Sequence, residues 1–346
     1  MSNMITYGDI SPRTAAFVMR DLLKRAMPYM VIEKFGQAFV IPLHNTKTAK
    51  FRRYYLTGAT GAAGNGNPAQ AFFTPLALTP LLEGVTPTGN KLSSSDYTVQ
   101  LNQYGDFVVI TDVVEDTHED PILQEATGIM AEQAAMTVET IRFNILKAGT
   151  NVFYANGGAR TAVNTPITTA IQRQITTSIL RQNGKMITSV VKSTPDYRTE
   201  PVEAAFIALH HPDMETDIRS MTGFIPTKQY GATTPYENET GAVERVRYLS
   251  STIVAPWPDI GGAKGLMRST TGTLADVYPV LFIARDAYGT VVLKGKDALT
   301  PIVHNPGSSG SSDPLNQRGT VGWKAWQAAV ILQDAYLVRG EFAATA

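Results

Sequence analysis

The sequence predicts an α+β protein, and three observations lead to that fold class. Two β-rich stretches flank a long segment rich in glycine and proline. A run of helical periodicity of unusual length follows them. Beyond it lie a second helical pattern, TPITTAIQRQITTSILRQNG at 165–184, and a buried strand pattern, EAAFIALHHP at 203–212. The remaining C-terminal strand patterns complete a mixed architecture of helices and sheets.

The composition is that of an ordinary globular chain. Its 346 residues suffice for one large domain or two smaller ones, and 43% of them are apolar. The absence of cysteine excludes disulfides, thiolate zinc sites and cysteine nucleophiles. No segment reads as a signal peptide, and no apolar stretch approaches the roughly 18 residues that a membrane span needs. We therefore expect no membrane partner.

Charge is balanced overall but unevenly distributed along the chain. Residues 1–60 hold nine Lys/Arg and three Asp/Glu, whereas residues 83–139 hold one Lys and eleven Asp/Glu. These segments could be two solvated faces of one molecule. Alternatively, the basic segment of one copy could meet the acidic segment of another. The strong basic excess of a dedicated nucleic-acid binder is missing.

The two β-rich stretches predict long strands that carry an extended flap. The first is VIPLHNTKTAKFRRYYL, with a strand near 47–57, and the second is SDYTVQLNQYGDFVVITDVV, with strand material over about 95–114. Between them lie nearly forty residues rich in Gly, Pro, Ala, Ser and Thr. A connection of this length cannot bury much of itself. We expect a second copy of the chain to order it.

Two further segments predict helices. Residues 11–30 carry an apolar stripe at helical spacing after a Ser-Pro start signal, and this helix could pack on its own core or dock on a neighbouring subunit. Residues 121–148 carry apolar side chains at intervals of three or four along a much longer helix. The expected caps of the longer helix are Thr117, Asp120, Pro121 and Gly149.

The stretch EDTHED at 115–120 raises the question of a metal or acid/base site. His118-Glu119 is half of an HExxH zinc-protease motif, but the position of the second histidine is Ile122, and Pro121 interrupts the helix that the motif requires. Carboxylates in the first turn instead complement the positive end of the helix dipole. The neighbouring His210 and His211 point to opposite faces of a strand and cannot easily share a metal. We expect no catalytic residue, metal or cofactor, and no enzymatic activity.

Several stretches together resemble the major capsid proteins of tailed bacteriophages, in particular a podovirus-type family. The match is densest over 34–154, and the run from Gln103 through Gln133 is its most specific part. The matching stretches are KFGQAFVIPLHNTKTAKFRRY, LLEGVTPTGNKLS, LNQYGDFVVITDVVEDTHEDPILQEATGIMAEQA, RFNILKAGTNV, GAVERVRYLSS and GWKAWQAAVILQDAYLVRGE.

The resemblance implies the shell fold that tailed phages share with herpesvirus capsids. Its parts are an N-terminal arm, an extended β-hairpin loop, a peripheral domain with a long spine helix, and an axial domain. The expected divisions are the arm at 1–35, the loop and its base strands at 36–112, the peripheral domain at 113–160 with the spine helix at 121–148, the axial domain at about 161–300, and closing strands at 301–346.

The resemblance also implies a structural function in the virion. Pentamers and hexamers would form an icosahedral shell in the bacterial host cytoplasm and enclose packaged double-stranded DNA with weak, non-specific contact. A separate scaffolding protein and a portal are expected partners, and a decoration protein is a further candidate. The alternatives are another virion or encapsulating-compartment protein and a metal-dependent hydrolase built on His118.

The charge asymmetry suggests specific contacts between subunits. Arg52 and Arg53 lie on the first strand of the flap and are expected to reach carboxylates of an adjacent copy. The expected acceptors are Asp112, Glu115, Asp116, Glu119 and Asp120.

Overall fold

The structure is a computed structural model of the chain. It describes residues 30–44, 46–57, 80–87, 89, 91–113, 122–191, 199–231, 234–293, 300–304 and 317–346. Nearly all of the predicted helix at 11–30 lies outside these residues. So do His118 and the expected site residues Glu115, Asp116, Thr117, Glu119, Asp120 and Pro121.

The described helices and strands confirm the predicted α+β class. The helices are α1 (Ile122–Lys147), α2 (Thr169–Arg181) and α3 (Glu215–Arg219). The strands are β1 (Gln37–Ile41), β2 (Thr48–Thr57), β3 (Lys91–Gln100), β4 (Asn102–Thr111), β5 (Val152–Tyr154), β6 (Ile187–Val191), β7 (Thr199–His210), β8 (Phe224–Pro226), β9 (Glu239–Val243), β10 (Val246–Ser250), β11 (Val277–Ile283), β12 (Tyr288–Leu293), β13 (Thr300–His304), β14 (Arg318–Ile331) and β15 (Leu337–Ala343).

An eight-stranded mixed sheet forms the most deeply buried part of the molecule. Its order is β5-β15-β11-β7-β10-β9-β8, and β6 also pairs with β7. Alternate residues of β7 serve two different cores. Phe206 and Ala208 face the helices α2 and α3, whereas Ile207 and Leu209 pack with Phe143 and Leu146 of α1 and with residues 31–35. Since both faces are covered, the central strands carry continuous apolar runs, such as AAFIAL in β7 and VYPVLFI in β11.

A second sheet packs along the first half of α1. The long strand β14 pairs with β4, β12 and β13, and β1 pairs in parallel with β12. Ala131, Ala134 and Ala135 of α1 are fully buried and bring the helix close to Val321 and Trp323 of β14. The 26-residue helix is roughly 39 Å long, so it reaches both cores.

The third sheet is a hairpin of β2 and β3, which pair in register from Thr48 with Gln100 to Thr57 with Lys91. The predicted strand over 95–114 is therefore two strands, with a break at Leu101. Leu101 is 1% exposed, and its N–H donates to the carbonyl of Lys47 at 2.9 Å. Leu101 is buried with Ile41 and Val291, and it anchors the point where β3, paired with β2, gives way to β4, paired with β14.

The C-terminus of α1 is held by a side chain of β15. Gly149 follows the helix, but its φ is not among the positive values that typically end helices at glycine. Instead, the guanidinium of Arg339 donates to the carbonyls of Lys147 and Gly149, and a cation at this position also complements the helix dipole. A Cβ at Gly149 would stand 3.1 Å from Asp334 Oδ1, so close packing favours glycine there.

Candidate assembly surfaces

Arg52 lies on the exposed face of the hairpin and has a carboxylate partner within its own chain. Asp96 stands opposite it in register, and Arg52 Nε and Nη2 donate to Asp96 Oδ1 and Oδ2 at 2.7 and 2.9 Å. Hydrogen bonds from Arg52, with a further one from Lys50, lower the pKa of Asp96 to about 2. Both side chains remain partly exposed, so water and salt screen the pair.

Arg53 points to the other side of the hairpin and joins it to the rest of the molecule. Its Nη1 donates to Oε1 of Gln333 at 2.6 Å. Neighbouring side chains of a strand point to opposite faces, so Arg52 and Arg53 have different partners within the chain. Both nevertheless contribute to the lining of one groove at the base of the hairpin.

A groove of about 490 Å³ lies between the base of the hairpin and the rest of the molecule. We call it the basic groove because it is lined by five cations, Lys50, Arg52, Arg53, Lys185 and Arg285. The carboxylate in its lining is Asp286, which is 3.6 Å from Arg285 Nε. The sequence hypothesis missed Lys185 and Arg285, since residues so distant in sequence converge only through tertiary folding.

Asp112 follows the end of β4, where the chain turns toward α1. Its Oδ1 accepts from the N–H of Val113 at 2.8 Å, and its own N–H donates to the carbonyl of Gln317 at 3.0 Å. The other expected acceptors, Glu115, Asp116, Glu119 and Asp120, lie outside the described residues.

Two exposed apolar surfaces were missed by the sequence reasoning. The first, which we call the apolar edge, consists of Phe107, Val108 and Val109 of β4, exposed by 64, 44 and 49%. A signal was present, because FVVI at 107–110 breaks the alternation expected of a half-buried strand. The second, the hairpin patch, consists of Leu81, Leu82, Val85 and Leu92, all at least 59% exposed.

A buried charge network fixes α1 to β14 and to residues 32–33. Arg142 Nη1 donates to Glu139 Oε1 and Glu33 Oε2, both at 3.0 Å, and its Nη2 donates to Gln327 Oε1 at 2.6 Å. Glu139 also accepts from the N–H of Ile32 at 3.0 Å. Burial raises the pKa of Glu139, and the charge of Arg142 opposes this shift. Three separated chain segments are thereby held in one arrangement.

The described residues show neither a metal site nor a membrane-spanning helix. Within them, no three His, Asp or Glu side chains are placed to share a metal ion. The helices among them also contain no apolar stretch long enough to cross a bilayer. The surfaces that distinguish this molecule are thus the basic groove, the apolar edge and the hairpin patch.

Comparison with solved structures identifies the fold. The capsid of Ralstonia phage GP4 is 11% identical with a TM-score of 0.61, over 100% of this chain and 99% of that one. The capsid of cyanophage P-SCSP1u is 13% identical with a TM-score of 0.57, over 91 and 88%. The capsid of cyanophage Pam1 is 14% identical with a TM-score of 0.57, over 93 and 92%. The chain therefore has the tailed-phage major capsid fold.

Comparison of the sequence with protein families identifies the family of the chain. A search of curated protein sequences found no match. The model of a family described as phage capsid protein matches residues 95–340, which is well over half of the chain. The matched range includes β4, α1, the apolar edge and most strands of both large sheets. The chain belongs to the phage capsid protein family, and its role is that of a structural component of the virion capsid.

Proposed function

We propose that this protein assembles as pentamers and hexamers into an icosahedral shell that encloses packaged double-stranded DNA. The observation that carries the proposal is the projecting hairpin of β2 and β3. Its base is buried through Ala49 and Phe51, whereas β3 is exposed or half-buried along its length and the hairpin patch is exposed. A two-stranded hairpin is marginally stable alone, so such an element needs neighbours to cover it.

The parts of the fold suggest how the chain is divided within the shell. The hairpin corresponds to the extended loop within 36–112, and α1 to the spine helix of a peripheral domain at 113–160. Most of the eight-stranded sheet would belong to an axial domain at about 161–300, lining the centre of each pentamer or hexamer. The segment at 301–346 contributes β14 to the sheet beside α1 and β15 to the eight-stranded sheet.

Charged contacts between subunits form part of this proposal. Arg52 and Arg53 of one copy would approach Asp112, Glu115, Asp116, Glu119 and Asp120 of the next. The basic groove adds Lys50, Lys185 and Arg285 to the attracting surface. The exposed pair of Arg52 with Asp96 is screened by solvent, so a partner carboxylate could compete for the guanidinium.

The expected partners follow from the same function. We propose a separate scaffolding protein and a portal, with assembly in the cytoplasm of the bacterial host, and a decoration protein as a further candidate. Contact with the enclosed DNA would be weak and non-specific, because the formal net charge of the chain is zero.

Electron microscopy of the purified protein, alone and with a co-expressed scaffold, tests the proposal. Closed polyhedral shells of uniform size are the expected result. A well-behaved monomer that never assembles under either condition would contradict it. Charge reversal at Arg52 and Arg53 should abolish shells while leaving a folded subunit. The matched control is Arg173→Glu, which breaks the exposed pair of Arg173 on α2 with Glu244 and should leave shell yield unchanged.

A further inference from the structure

The basic groove gathers cations from separate parts of the chain around the turn between β11 and β12. The N–H of Arg285 in this turn donates to the carbonyl of Lys185 at 2.9 Å, which places the two residues side by side. The N–H of Gln333 donates to the carbonyl of Ala287 in the same turn at 3.1 Å. The side chain of Gln333 then accepts from Arg53 Nη1 at 2.6 Å. Hydrogen bonds within the folded subunit therefore fix three cations of the groove around one turn.

The positive charge of the groove is only partly neutralised by the described residues. Arg285 Nε is 3.6 Å from the carboxylate of Asp286, in an exposed pair that water and salt screen. Within the described ranges, no carboxylate oxygen lies within 4.0 Å of the Lys185 ammonium. The two solvent-facing cations of β2 share one carboxylate, that of Asp96. Cations that converge in a concave site with so few carboxylates attract an anion.

The donors in the groove suit an anion with several oxygens. The hairpin supplies Arg53 on one side, and the rest of the molecule supplies Lys185 and Arg285 on the other. Each guanidinium presents a planar fork of N–H donors that matches two phosphate oxygens, and an ammonium can meet a third oxygen. A carboxylate offers two oxygens in one plane, so it can meet fewer of these donors.

The size and the aromatic lining of the groove fit a ligand larger than one ion. Its volume is about 490 Å³, and its lining includes Phe39, Tyr97 and Tyr336. The phenol groups are further hydrogen-bond donors, and aromatic rings beside cations are the surfaces on which nucleic-acid bases stack. The groove therefore has room for a ligand that carries more than one phosphate.

We infer that the basic groove binds a phosphate group, which Arg53, Lys185 and Arg285 hold and around which Gln333 positions Arg53. The same donors would serve a free phosphate compound or the phosphodiester backbone of a nucleic acid. The inference goes beyond the proposed function, because the site lies within one subunit and needs neither a neighbouring copy nor a shell.

Titration calorimetry of the unassembled full-length chain with pyrophosphate at low salt tests the inference. One saturable site per chain is expected. The double variant Lys185→Gln/Arg285→Gln should weaken binding roughly tenfold or more, because it removes charge-assisted hydrogen bonds. Both side chains are exposed, so the variant should fold normally. The matched control is Arg219→Gln, which removes an exposed cation paired with Glu215 on α3 and should leave the affinity unchanged.

A substitution at Asp286 should change the affinity in the opposite direction. Asp286→Asn removes the carboxylate from the groove lining and should tighten pyrophosphate binding severalfold. Asparagine tolerates the positive φ of 59° at this position, so the turn should keep its shape. Unchanged or weaker binding by this folded variant would show that the charge of the groove does not hold the anion.

A second titration with a short single-stranded DNA distinguishes the two sources of the phosphate. DNA binding that pyrophosphate displaces, and that the double variant weakens, assigns the site to the nucleic-acid backbone. Binding of pyrophosphate without DNA assigns it to a free phosphate compound. No saturable binding of pyrophosphate, or an equal loss in the double variant and in Arg219→Gln, overturns the inference. Since no titration requires shells, the proposed function stands or falls separately.

Discussion

The eight-stranded sheet and the β2–β3 hairpin differ in how much of their surface is covered by the rest of the chain. The central strands β7, β10 and β11 are covered on both faces, and Phe206, Leu209 and Phe282 are at most 1% exposed. The hairpin alternates between exposed and half-buried side chains along the whole of β3. The sheet is therefore covered along both faces, whereas the hairpin is packed only at its base, through Ala49 and Phe51.

Folding of the subunit and contact between subunits therefore draw on apolar surface in different regions of the molecule. Burial of apolar area stabilises the folded subunit by about 25 cal/mol per Å². The apolar edge and the hairpin patch remain exposed, so the free energy of burying them would be gained only on assembly. Substitutions in the two regions should thus affect different experiments, and the following predictions test that separation.

The largest expected effect comes from comparing a Phe→Ala substitution in the eight-stranded sheet with one at the apolar edge. Phe282→Ala should lower the free energy of unfolding by about 3–5 kcal/mol, because it leaves a cavity between β11 and the helices α2 and α3. Phe107→Ala should change it by less than about 0.5 kcal/mol, since that ring is already in solvent. Urea denaturation of unassembled subunits measures both. Equal losses in the two variants would contradict the comparison.

Removal of the buried guanidinium should have the next largest effect. Arg142→Ala leaves Glu139 buried without its cationic partner and should cost about 3 kcal/mol. This value is at the low end for buried pairs, because burial already raises the pKa of Glu139 and Ile32 N–H still donates to it. The double variant Glu139→Gln/Arg142→Met should recover much of the loss in urea denaturation. No recovery would mean that packing, rather than charge, dominates there.

Burial of His210 in the eight-stranded sheet predicts that the free energy of unfolding of the subunit depends on pH. Its Nδ1–H donates to the carbonyl of His211, its Nε2 accepts from Thr240, and burial lowers its pKa from 6.5 to about 4. The neutral ring contributes its full stability above pH 6.5, and this is lost as pH falls from 6.5 to below 4, by roughly 3 kcal/mol in total. His210→Gln should flatten this part of the stability profile of unassembled subunits. An unchanged profile would contradict the assignment.

The smallest predicted effect concerns a helix at the margin of the sheet. Thr168 caps α2, and its Oγ1 accepts from the N–H of Ile171 at 3.4 Å. Thr168→Ala should lower the free energy of unfolding by about 0.5–1 kcal/mol, and Thr168→Ser should restore most of it. Thermal unfolding of the free subunit measures the difference. A loss above about 2 kcal/mol would indicate that Thr168 does more than cap the helix.

Much of the fold was predictable from local patterns, but the candidate surfaces were only partly so. The helix predicted at 121–148 lies at Ile122–Lys147, because apolar residues at helical spacing constrain one face over many turns. The hairpin was predicted from two β-rich stretches around a glycine- and proline-rich segment. The break at Leu101 was missed, because the alternating pattern continues across it while the pairing partner changes from β2 to β14.

The charged residues show why the sites were harder to predict. Arg52 and Arg53 are adjacent in sequence and were treated as one cationic pair, yet one contacts Asp96 and the other Gln333. The network around Arg142 gave no local signal at all. Glu33, Arg142 and Gln327 come from three distant segments, and only their convergence makes the charge buried and bonded.

By itself, the sequence determined the fold class, the long helix, the projecting hairpin and the resemblance to phage capsid proteins. These depend on periodicity and composition within short windows, which act through the local backbone and the exposure of neighbouring side chains. The tertiary structure alone decided which cations share the basic groove, which carboxylate Arg52 contacts, and that Phe107, Val108 and Val109 stay in solvent. Those outcomes depend on which strand lies beside which, and pairing between distant strands is set by the packing of the whole chain rather than by any one segment.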